Sequence, residues 1–239
     1  MPVVITGLAA AISRSPSSII DAAAENTADA LAMLQKNMNR QMLSDGVGNI
    51  NGADSELNSL GLDMTGILAA FDDGSAVPIY AGIDRTAATF WRSYVLANAS
   101  GLDRPITEEL LHQMLNELQS IREMTVNECT TSLGVLTQLG LLLGQDRRYN
   151  VSGSETPAYA GGFQWVTFNG LKVTGIPLYK TGRMDFWNRE LMSFKVLLDF
   201  TIENRDAGDA DAQKLFAKIY SQMQYKNPYH SGSLRNILE

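Results

Sequence analysis

Apolar and polar positions along this chain repeat with two different periods, and the switches between them mark its elements. Residues 3–5, Val-Val-Ile, form a β-branched run closed by Gly7, which predicts a short strand. From Ser15 the period lengthens: Ile20, Ala23, Thr27, Leu31, Leu34, Met38 and Met42 recur at steps of three and four, making a single apolar stripe. Ser15 suits an N-cap and Pro16 the first helical position. Asp21 and Glu25 near the start, with Lys36 and Arg40 near the end, complement the helix dipole. The pattern predicts one helix over residues 16–43, about 40 Å long. The stripe is narrow, Ala-rich and short, so a helix lying along a sheet edge is preferred to a coiled coil.

The Gly, Asn and Asp run "SDGVGNINGADSELNSLG" stops that helix. Residues 62–71 read as a short helix ended by Asp73-Gly74, and residues 77–80 and 89–97 as strands. Pro105 and Thr107 open a second amphipathic helix over 106–123, with Leu110, Leu111, Met114, Leu115, Leu118 and Ile121 as its buried face. A strand is expected over 125–130. Residues 132–144 then form a helix apolar on most sides and so expected to be largely buried. Asn169-Gly170 between two alternating runs predicts a hairpin with Phe168 opposite Leu171 and Val166 opposite Val173. Residues 183–188 and 193–202 are further strands, followed by the polar turn "NRDAGDADA". From Lys214 to Lys226 the chain alternates: Leu215, Ala217, Ile219, Met223 and Tyr225 on one side, Lys218, Gln222, Gln224 and Lys226 on the other. That predicts a long strand with one wet face, ended by Asn227-Pro228, although a helix also fits Leu215, Ile219 and Met223. Helices and strands mix without strict alternation or repeats, so the class is α+β.

Composition narrows the function. With 239 residues, 45% of them hydrophobic, the chain can fill one large core or two small ones. Only 19% of residues are charged, which is compatible with surface that becomes buried against partners. A net charge of −7 with 19 scattered Lys and Arg argues against nucleic acid as the main partner. Cys129 is the one cysteine, so no intrachain disulfide forms, and it reads as an inert buried thiol rather than a nucleophile. No apolar run is long enough to span a membrane, and the start lacks the basic segment of a signal peptide.

Candidate chemistry is sparse. "DRTAATFWRSYV", residues 84–95, gathers Arg85, Phe90, Trp91, Arg92 and Tyr94, which could stack on a base or cradle a ligand, or could pack structurally. His112 lies in an amphipathic helix as a solvated or boundary residue, and His230 in a polar tail loop, with no second His or Cys at metal spacing. "DGVGNING" follows a helix and lacks the Lys-Ser/Thr of a phosphate loop, so it reads as a turn. Asp45, Asn49, Asn51, Asp54 and Glu56 could cage calcium, but their spacing departs from the EF-hand. Asp72-Asp73 belongs to a helix-ending turn, and Arg147-Arg148 reads as a surface or subunit-interface ion-pair site. The expectation is therefore no catalytic, cofactor-binding or metal site and no cofactor. An enzyme would have to work through scattered Asp, Glu and Tyr.

The order of several segments carries a resemblance: "SDGVGN", "GLDMTGILAAF" and "YAGIDRTAATFWRS", the helix "ITEELLHQMLNELQ", "NECTTSLGVLTQLGLLLGQDRRY", "FNGLKVTGIPLY", "DFWN" and "KIYSQMQYKNPYHSGSLRNI". Over about residues 2–238 the chain closely resembles the major capsid proteins of tailed bacteriophages, which share the Hong Kong 97-type fold. No single motif is diagnostic; the ordered set is. The resemblance implies a peripheral domain over 1–103 with the spine helix 16–43, and an axial α/β domain over 104–182 whose tips meet around fivefold and sixfold axes. Residues 183–239 would return to the peripheral sheet, through the long strand 214–226, and end as a tail.

The same resemblance implies a structural subunit rather than an enzyme, one that self-assembles into an icosahedral head enclosing the DNA genome. Its partners would be other copies of itself in pentamers and hexamers. A scaffolding protein is a further candidate partner, DNA is enclosed without specific recognition, and no membrane is involved. The location would be the virion, after synthesis in the bacterial host cytoplasm. Residues 84–95 would connect the domains, their aromatics packing within the subunit or against a neighbour. Family members carry an N-terminal arm and a long extended hairpin before the spine helix. This chain begins after where both should end, so a truncated piece is expected to assemble weakly, as monomers or small rings, and crosslinking through that hairpin is not carried over. The rival readings are a nanocompartment shell of the same fold and a small-molecule enzyme, which a deep pocket with convergent polar groups would support.

Overall fold

In the computed structural model, residues 2–6, 22–44, 64–146, 165–206 and 212–239 are described. The expected helix start at Ser15-Pro16, the glycine loop with its oxygen cage, and Arg147-Arg148 lie outside those residues. Strand β1 (Pro2–Thr6) and helix α1 (Ala22–Met42) match the opening pattern. Along α1, Thr27, Leu34, Met38 and Met42 are half-buried, Leu31 is exposed, and small Ala30 is buried beside the stripe. Helix α2 (Ile67–Ala70) is entirely buried and stops before the Asp73-Gly74 turn, where Gly74 takes φ +100°. Strands β2 (Ile79–Tyr80) and β3 (Ile83–Asp84) form a small hairpin.

The strand expected over 89–97 is only half formed. Thr89–Trp91 is a turn of 3-10 helix, and β4 is confined to Tyr94–Leu96. Local bonds explain the difference: the Asp84 carboxylate and carbonyl accept from Thr86 N and Ala88 N, and Trp91 N donates to Ala88 O, so the backbone is satisfied without a ladder. Helix α3 (Glu108–Asn116) starts on Thr107, whose hydroxyl accepts from Leu110 N at 3.4 Å. It runs on into a π-helical turn, Glu117–Ile121. Leu111, Met114, Leu115 and Leu118 are buried as expected, but Ile121 is 61% exposed. The wider turn rotates it off the 3.6-residue face.

Strand β5 (Glu128–Thr131) leads to helix α4 (Leu133–Asp146). Val135, Leu136 and Leu139 of α4 are buried, whereas Leu133, Thr137 and Leu141 make an exposed row, so this helix is buried on one side only. Strands β6 (Trp165–Phe168) and β7 (Leu171–Gly175) pair in the expected register, Phe168 with Leu171 and Val166 with Val173. Asn169 at φ 48° and Gly170 at φ 78° give the left-handed turn that such a hairpin needs. Strands β8 (Arg183–Trp187), β9 (Met192–Asp206) and β10 (Ala212–Tyr225) follow. Buried Tyr225 and half-buried Met223 alternate with exposed Gln222, Gln224 and Lys226, as a strand and not a helix requires. Strand β11 (Ser231–Arg235) was not expected, since Ser-Gly-Ser has little strand propensity.

The chain divides into two compact units. One comprises Met1–Met42 and Phe194–Gln222, with a three-stranded sheet in the order β1-β10-β9. The other comprises Leu43–Ser193 and Met223–Glu239, with a mixed six-stranded sheet in the order β4-β11-β8-β5-β7-β6. In this second unit Met184 and Phe186 of β8 join α3 and α4 in one core, and Trp187 joins α2, Tyr80, Tyr179 and Tyr225 in another. The alternation of β8 thus supplies both.

Candidate functional site

Residues 84–95 are held from inside. Arg85 is fully buried, and its guanidinium donates to Ala69 O at 2.8 Å and Ala70 O at 2.9 Å, the last carbonyls of α2. Helix-end carbonyls lack intrahelical donors, and a cation there also meets the negative end of the dipole. The same guanidinium lies 5.0 Å from the Tyr80 ring centre. Arg92 donates to Arg85 O and Thr86 O, and the Trp91 indole N–H donates to Tyr80 O. Arg122 sits over the Tyr229 ring at 4.4 Å and the Tyr94 ring at 5.4 Å, donating to the carbonyls of Arg92 and Tyr229. The cations and aromatics that suggested a ligand cradle instead tie the segment to its own chain. Phe90, 66% exposed, is the exception.

Asp72 is the hub of the neighbouring turn. Its carboxylate accepts from Gly74 N, Ala76 N and Val77 N at 2.9–3.1 Å and from Arg235 at 2.7 Å. Burial alone would push its pKa up; the Val77 N–H, the Arg235 bond and charge, and the Gly74 N–H together hold it below the usual carboxylate value. Asp73 Oδ1 accepts from Ser75 N, so the two carboxylates serve one turn.

A second polar cluster escaped the sequence reading. In β8, Arg183 and Asp185 share one face, and Arg183 Nε donates to both Asp185 oxygens at 2.9 and 2.7 Å. Tyr179 Oη donates to Asp185 at 2.5 Å and accepts from Thr130, whose hydroxyl accepts from the Trp187 indole. Arg183 also donates to Leu68 O and Phe71 O. Burial, then the Asp185 charge, pushes the Tyr179 phenol well up. Burial would lower Arg183, but the charge and hydrogen bond of Asp185, with Tyr179 and Asp72 beside it, raise it overall. All these side chains are buried, so the cluster is a closed brace that holds its protons. Its signal was present in "RMDFW", where two opposite charges at alternate strand positions can pair on one face.

Cys129 is fully buried in the first core, and burial, with Asp185 and Glu128 nearby, pushes its thiol well up. That is an inert thiol. His112 is exposed and packs at a tilt against Phe168, ring centres 5.2 Å apart; His230 lies beside Tyr229. Among the described residues no group of His, Cys, Asp and Glu is placed to hold a metal ion. An open cleft of about 600 Å³ is lined by Asp103, Lys180, Thr181, Arg235, Asn236 and Glu239 among others. Arg235 is pinned to Asp72, and the Glu239 carboxylate accepts from Ser132 and Gly182 N. Asn236 donates to Gly101 O, so Arg235, Asn236 and Glu239 are all engaged with the protein itself.

No sequence-family profile and no curated protein sequence matches the chain. Solved structures do. A chain of the cyanophage A-1(L) capsid asymmetric unit superposes with a TM-score of 0.76 at 15% identity, over 100% of this chain and 77% of that one. A chain of the holo-SrpI encapsulin complex from Synechococcus elongatus PCC 7942 gives 0.60 at 9% identity, over 99% and 72%. A Gordonia phage Cozz chain gives 0.56 at 12% identity, over 100% and 69%. The fold is the α+β, Hong Kong 97-type capsid fold, over the whole chain.

Proposed function

We propose that this chain is a structural subunit of an icosahedral phage head, a major capsid protein whose mechanism is self-assembly and not turnover. The observation that carries the reading is the whole-chain likeness to the cyanophage capsid chain. It is supported by polar clusters that brace the subunit from inside, and by apolar side chains left outside, among them Leu133, Leu141, Phe194 and Leu197. In this reading α1 belongs to the spine helix of the peripheral domain, and residues 104–182 belong to the axial one. The partners are other copies of the chain, assembled in pentamers and hexamers around the genome. Individually weak contacts become stable through their number in a closed symmetric shell.

The encapsulin likeness favours a second reading, a nanocompartment shell with protein cargo. Light scattering over a range of protein and salt concentrations tests both. Mass rising with concentration to rings or larger supports a shell subunit, and DNA or protein inside purified particles separates the two readings. A monomer mass that stays fixed at every concentration, and stays so after an upstream arm and hairpin are added, contradicts both.

A further inference from the structure

Among the described residues, strand β9 is an edge strand of the three-stranded sheet, and it is 15 residues long. Proteins that keep a sheet edge unpaired make it short, bulged, covered or heavily charged. Over residues 194–200, β9 carries two charges of opposite sign, Lys195 and Asp199, while Phe194, Val196, Leu198 and Phe200 are exposed on one face and Leu197, 89% exposed, on the other. Lys195 and Asp199 have no ion-pair partner among the described residues, whereas nearby Glu203 pairs with Lys218 at 2.5 Å.

We propose that the outer edge of β9 is a self-complementary docking surface, pairing antiparallel with β9 of a second copy about a twofold axis at Leu197. The sequence is symmetric in chemistry about that residue. An axis there sets Lys195 opposite Asp199 twice, Phe194 opposite Phe200, and Val196 opposite Leu198. It also sets Ser193 opposite Thr201. Moving the axis one residue leaves both charges facing uncharged residues. Moving it two sets Lys195 against Lys195 or Asp199 against Asp199. The register is therefore selected by charge, while the apolar face supplies the buried area. This deepens the shell-subunit reading by naming one surface between copies; it rests on that reading for its purpose, and on the strand alone for its geometry.

Cysteine trapping in the full chain tests it, because the native Cys129 is buried and does not contribute. Leu197→Cys places two thiols directly opposite across the axis, within disulfide reach, and mild oxidation should give a covalent dimer. Lys195→Cys places them several residues apart and should not. Both positions are exposed, so the fold tolerates either change. By sedimentation, Lys195→Asp or Asp199→Lys alone should weaken the dimer about tenfold or more, since each change acts twice across the axis. The combined reversal should restore it. Equal trapping at 195 and 197, a combined reversal that stays weak, or no trapping at 197 overturns the proposal. If larger rings still form without trapping at 197, the β9 interface fails and the shell reading stands. A trapped dimer that never grows leaves the β9 interface standing and contradicts the shell reading.

Discussion

Asp72 gathers three backbone N–H groups and one guanidinium around a buried carboxylate. Asp72→Ala leaves Arg235 and those donors without their acceptor and should destabilise the protein by about 3–5 kcal/mol in urea unfolding. Because the folded pKa is lowered, this contribution is present above the ordinary carboxylate value and is lost as pH falls through the folded one. Asp72→Asn should therefore flatten the acid limb of the stability profile; an unchanged acid limb would contradict the role. Arg85→Met should cost about 3 kcal/mol by stranding the Ala69 and Ala70 carbonyls, with no loss of self-association when the protein is folded. Gly74→Ala should cost more than about 1 kcal/mol, since φ is +100° and the new Cβ would lie 2.9 Å from Arg85 Cβ. Sequence reading found the Asp73-Gly74 turn from local chemistry. It could not find that Arg85, far along the chain, caps the helix before that turn.

At the scale of elements, local periodicity carried the most. The Asn169-Gly170 hairpin and its register were legible because turn type and alternation agree within a few residues. The 3-10 turn at Thr89–Trp91, the π turn at Glu117–Ile121 and strand β11 were not, because each is decided by partners distant in sequence or by backbone bonds that hydropathy does not report. Strand β11 holds its place between β4 and β8 through ladder pairing, with Leu234 in the core and Ser231 bonded to Ser93. The π turn gives a sharp test. Leu118→Ala should cost about 2–5 kcal/mol in thermal or urea unfolding, and Ile121→Lys should fall within about 0.5 kcal/mol of the parent. A regular helix through residue 121 would make the two changes comparable.

At the scale of the whole molecule, the absence of metal or nucleophile motifs left the order of elements as the guide to function. That order was enough to recognise the fold, and the match to capsid chains over the full length agrees with it. What the sequence could not show was how the cations and carboxylates would be used, because pairing of Arg183 with Asp185, or Asp72 with Arg235, becomes visible only once strands and turns are placed. In the proposed reading, the low charged fraction and the exposed apolar residues of β9 and α4 serve contacts with copies of the same chain. The most direct measurement of that claim is electron microscopy of the concentrated protein with class averaging of whatever assembles. The account predicts fivefold and sixfold rings, alone or within curved shells. Assemblies without those symmetries, or a protein that stays monomeric even when an N-terminal arm and extended hairpin are added, would contradict it.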